Sequence, residues 1–237
     1  HSDKLTSLIV PKNSKSVLSE SFRSLRTNIQ YLAVDKTKKV ITVSSSIGGE
    51  GKTFCSMNIA SIFALSGKKT VLIGADLRKP KLELEFKSEN KSGLSNYLIN
   101  KSTLKEITNK TEVENLDIIF SGPTPPNPAE LLDSTKMQEL IKKLNIEYDY
   151  VIIDTPPIGL VTDGVILMKN ADINLYVVRH NYTKYQALSV VNGLYNNKQV
   201  KNLQIIINDY QNDMGNYGYG YGYGYGYGYG YGGGYGY

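Results

Sequence analysis

Six short apolar runs, rich in β-branched residues, recur along the chain at 40–43, 70–73, 116–120, 150–153, 173–178 and 203–207. They are continuous rather than alternating, the pattern of strands covered on both faces. Between them, apolar residues return at three- and four-residue steps over 53–65, 129–144, 164–168 and 184–195, which predicts helices. Strand and helix alternate, so the expected architecture is α/β, three layers around a mostly parallel sheet.

One helix start is well marked. In Pro125-Pro126-Asn127-Pro128-Ala129-Glu130, Asn127 suits the N-cap, Pro128 the first turn, and Glu130 complements the helix dipole. Ahead of the first strand, 17–34 predicts an amphipathic helix with Leu18, Phe22, Leu25, Ile29 and Leu32 on one face. It stands outside the alternation and is available for packing or assembly. From Gly215 onward the chain is almost only Gly and Tyr, with no branched aliphatic residue to bury. The predicted organisation is therefore one domain, 1–209, followed by a flexible, disordered tail at 210–237.

Composition adds bounds. With 237 residues and 41% hydrophobic positions, the chain supports one sizeable core. A net charge of +5, with basic residues spread along the sequence, suits a phosphate ligand or membrane surface and does not call for nucleic acid. The single cysteine, Cys55, has no partner for an internal disulfide and is expected to be an inert buried thiol in a reducing compartment. No apolar run approaches the roughly 20 residues of a membrane-spanning helix. His1 and His180 lack partners at metal-ligand spacing.

The candidate chemistry begins after the first strand. The run Val40-Ile-Thr-Val-Ser-Ser-Ser-Ile-Gly-Gly-Glu-Gly-Lys-Thr53 passes from strand through glycines into helix, the context of a phosphate-binding loop. Gly48, Gly49 and Gly51 allow backbone amides to surround a phosphate. Glu50 and Phe54 belong to the same loop and first helical turn. Lys52 is placed to bridge β- and γ-phosphates, and the Thr53 hydroxyl to bind Mg²⁺. Ser46 stands where the common pattern has Gly, a small deviation.

Two more strands end in acids. Tyr150-Val-Ile-Ile-Asp154-Thr-Pro-Pro157 supplies Asp154, where a Walker B carboxylate holds Mg²⁺ or its water. Val71-Leu-Ile-Gly-Ala-Asp76-Leu-Arg78-Lys79-Pro80 supplies Asp76 and cations able to neutralise phosphate. In a parallel sheet all of these fall at one carboxyl edge, where ligands bind. Asp163, beyond the Pro-Pro loop, is expected to cap the next helix, and Arg179 follows a strand end.

At these residues the sequence resembles the bacterial tyrosine kinases that regulate capsule and exopolysaccharide synthesis, which have a P-loop NTPase fold. Gly48 to Thr53 matches their Walker A loop, Asp76-Leu-Arg78 their Walker A′ motif, and Asp154-Thr-Pro-Pro157 their Walker B. Glu20, Arg23 and Arg26 match an oligomerisation signature on the early helix, and the Gly/Tyr tail matches a cluster of autophosphorylation sites. The resemblance implies an ATP- and Mg²⁺-dependent tyrosine kinase with Lys52, Asp76, Arg78 and Asp154 catalytic and Thr53, Asp76 and Asp154 at the metal. It implies acceptors at Tyr217, Tyr219, Tyr221, Tyr223, Tyr225, Tyr227, Tyr229, Tyr231, Tyr235 and Tyr237. It further implies a ring-like homo-oligomer, a transmembrane polysaccharide co-polymerase as activator, fused or separate, a cognate tyrosine phosphatase, and a cytoplasmic site at the inner membrane face. One departure stands out: Gly74 replaces the first acid of Walker A′, to which the family assigns Mg²⁺ binding and acceptance of the tyrosine proton. Two other readings stay open. A partitioning-type ATPase switch shares the fold but has a signature lysine where this chain has Ile47, and a weakly catalytic nucleotide-binding scaffold is suggested by Gly74.

Overall fold

A computed structural model describes residues 8, 15–32, 35, 39–89, 91–159 and 163–210. His1 and the ten candidate acceptors from Tyr217 to Tyr237 lie outside these. Seven strands form one sheet: β1 (Lys39–Ser45), β2 (Thr70–Gly74), β3 (Thr108–Lys110), β4 (Leu116–Ile119), β5 (Tyr150–Asp154), β6 (Ile173–Arg179) and β7 (Leu203–Asn208). Their spatial order is β3-β4-β2-β5-β1-β6-β7, and every pairing is parallel except that of β3 with β4. All six apolar runs are strands. The seventh, β3, is Thr-Asn-Lys at a solvent-facing edge, where no apolar signature is required.

The helices are α1 (Val17–Tyr31), α2 (Lys52–Leu65), α3 (Leu82–Glu85), α4 (Leu94–Leu98), α5 (Leu104–Ile107), α6 (Pro128–Asp133), α7 (Thr135–Glu147), α8 (Asp163–Lys169) and α9 (Leu188–Asn196). Nearly every residue of α2 is buried, because it lies between Ile41, Val43 and Ile152 of the sheet and the outer helix α1. The ring of Phe22 on α1 meets that of Phe54 on α2 at 5.9 Å between centroids. Phe22 and Ile29 are both buried, each contributing about 1.5–3 kcal/mol. Helix α1 is thus part of this fold, whatever else its outer face does. The opposite sheet face is covered by α4, α6 and α7 through Leu94, Leu132, Met137, Leu140 and Leu144.

Several boundaries differ from the sequence reading. The single helix expected over 129–144 is two, because Ser134 adopts an extended backbone (φ −64°, ψ 150°) and its hydroxyl caps α7 by accepting from the Met137 amide. Asn127 does precede α6, but its side chain donates to Glu130 Oε2 at 2.7 Å instead of accepting a helix amide. The segment 184–195 splits into a 3-10 turn, Tyr185–Ala187, and α9. Helix α1 ends at Tyr31, with the Leu32 amide donating to Ile29, while 33–34 lie outside the described residues. Helices α3, α4 and α5 have four or five residues, too few to display a period.

Register fixes where the chemistry falls. Val43 pairs with Asp154, and Asp154 with Gly74, so the ends of β1, β5 and β2 lie side by side.

Candidate nucleotide and metal site

The loop between β1 and α2 is held from behind and from outside. Glu50 is fully buried, and its carboxylate accepts from Ser46 Oγ at 2.7 Å, from the Ile47 amide at 2.8 Å, and from Thr183 Oγ1. Ser46, which departs from the common pattern, is therefore an anchor for this carboxylate, and such charge-assisted bonds are strong. Glu50 cannot present its side chain to a ligand without breaking all three.

On the outer side, Tyr182 Oη donates to Gly48 O at 3.0 Å, Arg179 Nη1 to Gly49 O at 3.1 Å, and Asn208 Nδ2 to Glu50 O at 3.0 Å. With three successive carbonyls engaged there, the intervening amides are left for an anion on the other side. Gly49 and Gly51 have left-handed backbones, φ 90° and 92°. A Cβ at Gly51 would lie 2.0 Å from Asn208 Nδ2, and one at Gly49 2.7 Å from Tyr182 Oη. Gly48 has no such neighbour within 4 Å, so packing within the protein gives it no reason to be glycine.

Lys52 and Thr53 open α2 and face the acids. Lys52 Nζ lies 3.3 Å from Asp76 Oδ2 and 3.5 Å from Asp154 Oδ1. Thr53 Oγ1 donates to Asp154 Oδ2 at 2.8 Å, and Ser56 Oγ lies 3.2 Å from Asp154 Oδ1. Both acids are buried. Burial raises the Asp154 pKa above the ordinary carboxylate range, opposed by Lys52, Thr53 and Ser56 and reinforced by Asp76. The same burial, with Asp154 nearby, pushes the Cys55 thiol up to about 12, which makes it inert at neutral pH as expected.

Of the residues predicted for the site, the structure brings together Lys52, Thr53, Asp76 and Asp154. Arg78 shares the edge but is engaged elsewhere: its Nε donates to Asp163 Oδ2 at 2.7 Å and its Nη2 to Oδ1 at 3.3 Å. Asp163, expected to cap α8, is instead the buried end of this fork, and the pairing raises the Arg78 pKa further. Phe54 packs on Phe22. On α1, Glu20 and Arg23 pair with each other, and Arg26 Nε is buried without a hydrogen-bond partner among the described residues. Tyr182, Thr183 and Asn208 were missed, because single residues after β6 and at the end of β7 form no motif. With Gly49, Gly51, Phe54, Arg179 and Tyr210, Asn208 lines a cavity of about 920 Å³ beside the phosphate loop.

A family model described as an AAA domain matches residues 38–209. The tyrosine-protein kinase YwqD of Bacillus subtilis (strain 168) is 42% identical over 177 residues, covering 75% of each chain. The chain belongs to the bacterial tyrosine kinases. The solved kinase domain of Escherichia coli tyrosine kinase ETK superposes with a TM-score of 0.78 at 29% identity, over 90% of this chain and 84% of that one. The chimerical protein CapA2B2 superposes at 0.81 and 37% identity, over 86% and 90%. The expected P-loop fold and enzyme class are thereby borne out, and the fold is a nucleotide-binding one. Among the described residues no helix is long and apolar enough to cross a membrane.

Proposed function

We propose that the chain binds Mg·ATP at the β1–α2 loop and transfers the γ-phosphoryl group to tyrosine hydroxyls, first of all those of its own Gly/Tyr tail. The observation that carries this reading is the convergence of four side chains, Lys52 within 3.3 Å of Asp76 and 3.5 Å of Asp154 and Thr53 within 2.8 Å of Asp154, behind a loop whose carbonyls are pinned outward. The donor set fits magnesium: two carboxylates and a hydroxyl leave room for water and phosphate oxygens, as that ion prefers. When bound, the metal neutralises charge on the transferring group.

Lys52 sits at 3.3 and 3.5 Å from its two acids, longer than the roughly 2.7–2.9 Å of tight ammonium–carboxylate bonds. It is held in place without being consumed by either acid, and a phosphate can draw it away. Thr53 and Asp154 orient the metal, Asp76 holds the lysine and the hydroxyl's approach, and Arg78 adds positive charge at the rim. The tyrosine proton, from a group of ordinary pKa about 10, leaves toward Asp76 or a phosphate oxygen. The adenine takes the cavity beside the loop, against Asn208 and Arg179.

From its composition alone, a Gly-rich stretch of this length is expected to reach about 30 Å, enough for transfer between subunits. The wider reading is a ring-like homo-oligomer at the inner membrane face, stimulated by a transmembrane polysaccharide co-polymerase, reversed by a tyrosine phosphatase, and controlling polysaccharide polymerisation or export. Incubation of the pure chain with Mg·ATP, followed by mass-spectrometric mapping, tests the central claim: phosphotyrosine is expected between Tyr217 and Tyr237. Release of free phosphate with no protein modification would refute it.

The α1 residues carry a second expectation. The Arg23→Ala, Arg26→Ala double variant is expected to sediment as a monomer with its fold intact, since the buried Phe22 and Ile29 still hold α1 to the domain. An unchanged sedimentation profile would remove these residues from the interface.

The Asp154 shift carries a third. Its folded pKa is raised above the unfolded value, so this group contributes stability in acid that is lost as pH rises through the raised value. Mg²⁺ requires the ionised form. The increase in Tm produced by Mg·ADP is therefore expected to be larger at neutral pH than in mild acid, and an increase that is the same at both would contradict the assignment.

A further inference from the structure

The carboxyl edge of the sheet contains one more acid that the site as described does not use. Glu83, on α3, is buried, with 4% exposure. One of its oxygens, Oε1, accepts from the Ser121 amide at 2.8 Å, while Oε2 is buried with no hydrogen-bond partner among the described residues. A carboxylate oxygen in that condition is costly unless something outside the chain, such as a water or a cation, meets it.

Its neighbour is Gly74. Ser121 Oγ donates to Gly74 O at 3.0 Å. A Cβ built on Gly74 would lie 2.9 Å from Ser121 Oγ, 3.1 Å from Leu82 Cδ1 and 3.3 Å from the Ser121 nitrogen, so the position is closely surrounded. That nitrogen is the one Glu83 engages, so its carboxylate flanks the space that a side chain at position 74 would enter. Gly74 is also the register partner of Asp154. The acid at 83 and the missing side chain at 74 therefore meet beside the ends of β2 and β5.

We propose that Glu83 is a positioning residue of the metal site, its free oxygen accepting a hydrogen bond from a water of the Mg²⁺ shell beside Gly74. This rests on the nucleotide-site reading above. Magnesium gives up its water reluctantly and is commonly held through it, and outer-sphere partners of this kind alter metal affinity by about 10- to 100-fold. The bond to Ser121 fixes the carboxylate beside Gly74, where Ser121 and Leu82 already crowd the place of a side chain.

The test is calorimetric titration of ADP into the intact chain at a series of Mg²⁺ concentrations and in excess chelator. Glu83→Gln keeps an acceptor for the Ser121 amide, and is expected to raise the Mg²⁺ concentration for half-maximal nucleotide affinity about tenfold, with metal-free affinity unchanged. Adding Gly74→Asp to that variant is expected to restore the midpoint, because the new acid stands beside the same site; Ser121 Oγ must rotate and Leu82 give way to admit it. An unchanged midpoint in folded Glu83→Gln overturns the proposal, as does an equal loss of affinity in chelator, which would mark a role in packing. If Glu83→Gln melts well below the parent, Glu83→Asp decides: an acid one methylene shorter keeps the charge but withdraws the free oxygen and raises the Mg²⁺ midpoint on this reading, and a midpoint that does not move overturns it. Absence of any Mg²⁺-dependent ADP binding by the parent chain would instead refute the nucleotide site itself.

Discussion

Replacing Lys52 by Met is expected to lower the rate of phosphotyrosine formation by about a thousandfold or more, the scale on which loss of one preorganised charge at a reacting centre is felt. Two losses combine. Lys52 is the cation shared by Asp76 and Asp154, at 3.3 and 3.5 Å, so its removal takes positive charge from the phosphoryl group and leaves two buried acids facing each other. The second loss is indirect. Lys52 is the largest influence opposing the burial that raises the Asp154 pKa, and without it the acid is driven further toward its protonated form, which binds metal poorly. Nucleotide affinity in the presence of Mg²⁺ is expected to fall with the rate. The fold is expected to persist at reduced stability, because Met has similar length and protonation of Asp154 relieves part of the charge left without compensation. Rates from timed mass spectrometry, with circular dichroism as the control for folding, decide the matter. A folded variant retaining activity within about tenfold of the parent, well short of the loss expected for such a charge, would show that Lys52 is not at the reacting phosphate.

The fold was legible because β1, β2, β4, β5, β6 and β7 each carry a continuous apolar run, and the glycines, lysine and acids fall directly at the ends of three of them. Burial on both faces demands that pattern, and a catalytic group at a strand end interrupts it sharply. What escaped detection is of another kind. Glu50 reads as a loop carboxylate free to meet a ligand, yet its orientation is set by Ser46, the Ile47 amide and Thr183, the last of them distant in sequence. Tyr182, Arg179 and Asn208 meet the loop carbonyls only because β6 lies next to β1 and β7 next to β6, a fact of topology with no local signature. Ser134 divides one apolar period into two helices by a single backbone rotation. Glu83 has the same character: nothing in Lys81-Leu82-Glu83-Leu84 signals that its carboxylate reaches Ser121, one strand away.

Removing the guanidinium of Arg78 tests the other contact that spacing did not reveal. Asp163 is 2% exposed at its side chain, and its two oxygens take the Arg78 Nε and Nη2 in a forked pair. Breaking a fully buried pair by deleting one partner costs about 3–5 kcal/mol, because the other charge is left without compensation. Arg78 is itself 42% exposed, so water can enter in its place and the cost for Arg78→Ala is reduced to about 2 kcal/mol. Asp163→Asn keeps an acceptor for one arm of the fork and is expected to cost about 1 kcal/mol. The double variant is expected to be less destabilised than the sum of the two, since the uncompensated carboxylate is gone, with a coupling of about 1 kcal/mol. Urea unfolding of the four proteins measures this directly, and strict additivity would mean that the fork contributes nothing. Activity separates the two tasks of Arg78. Arg78→Lys retains charge at the rim but not the planar fork. If charge near the phosphates is what matters, Lys restores phosphotransfer more than stability. If α8 must be held against the site through Asp163, it restores neither.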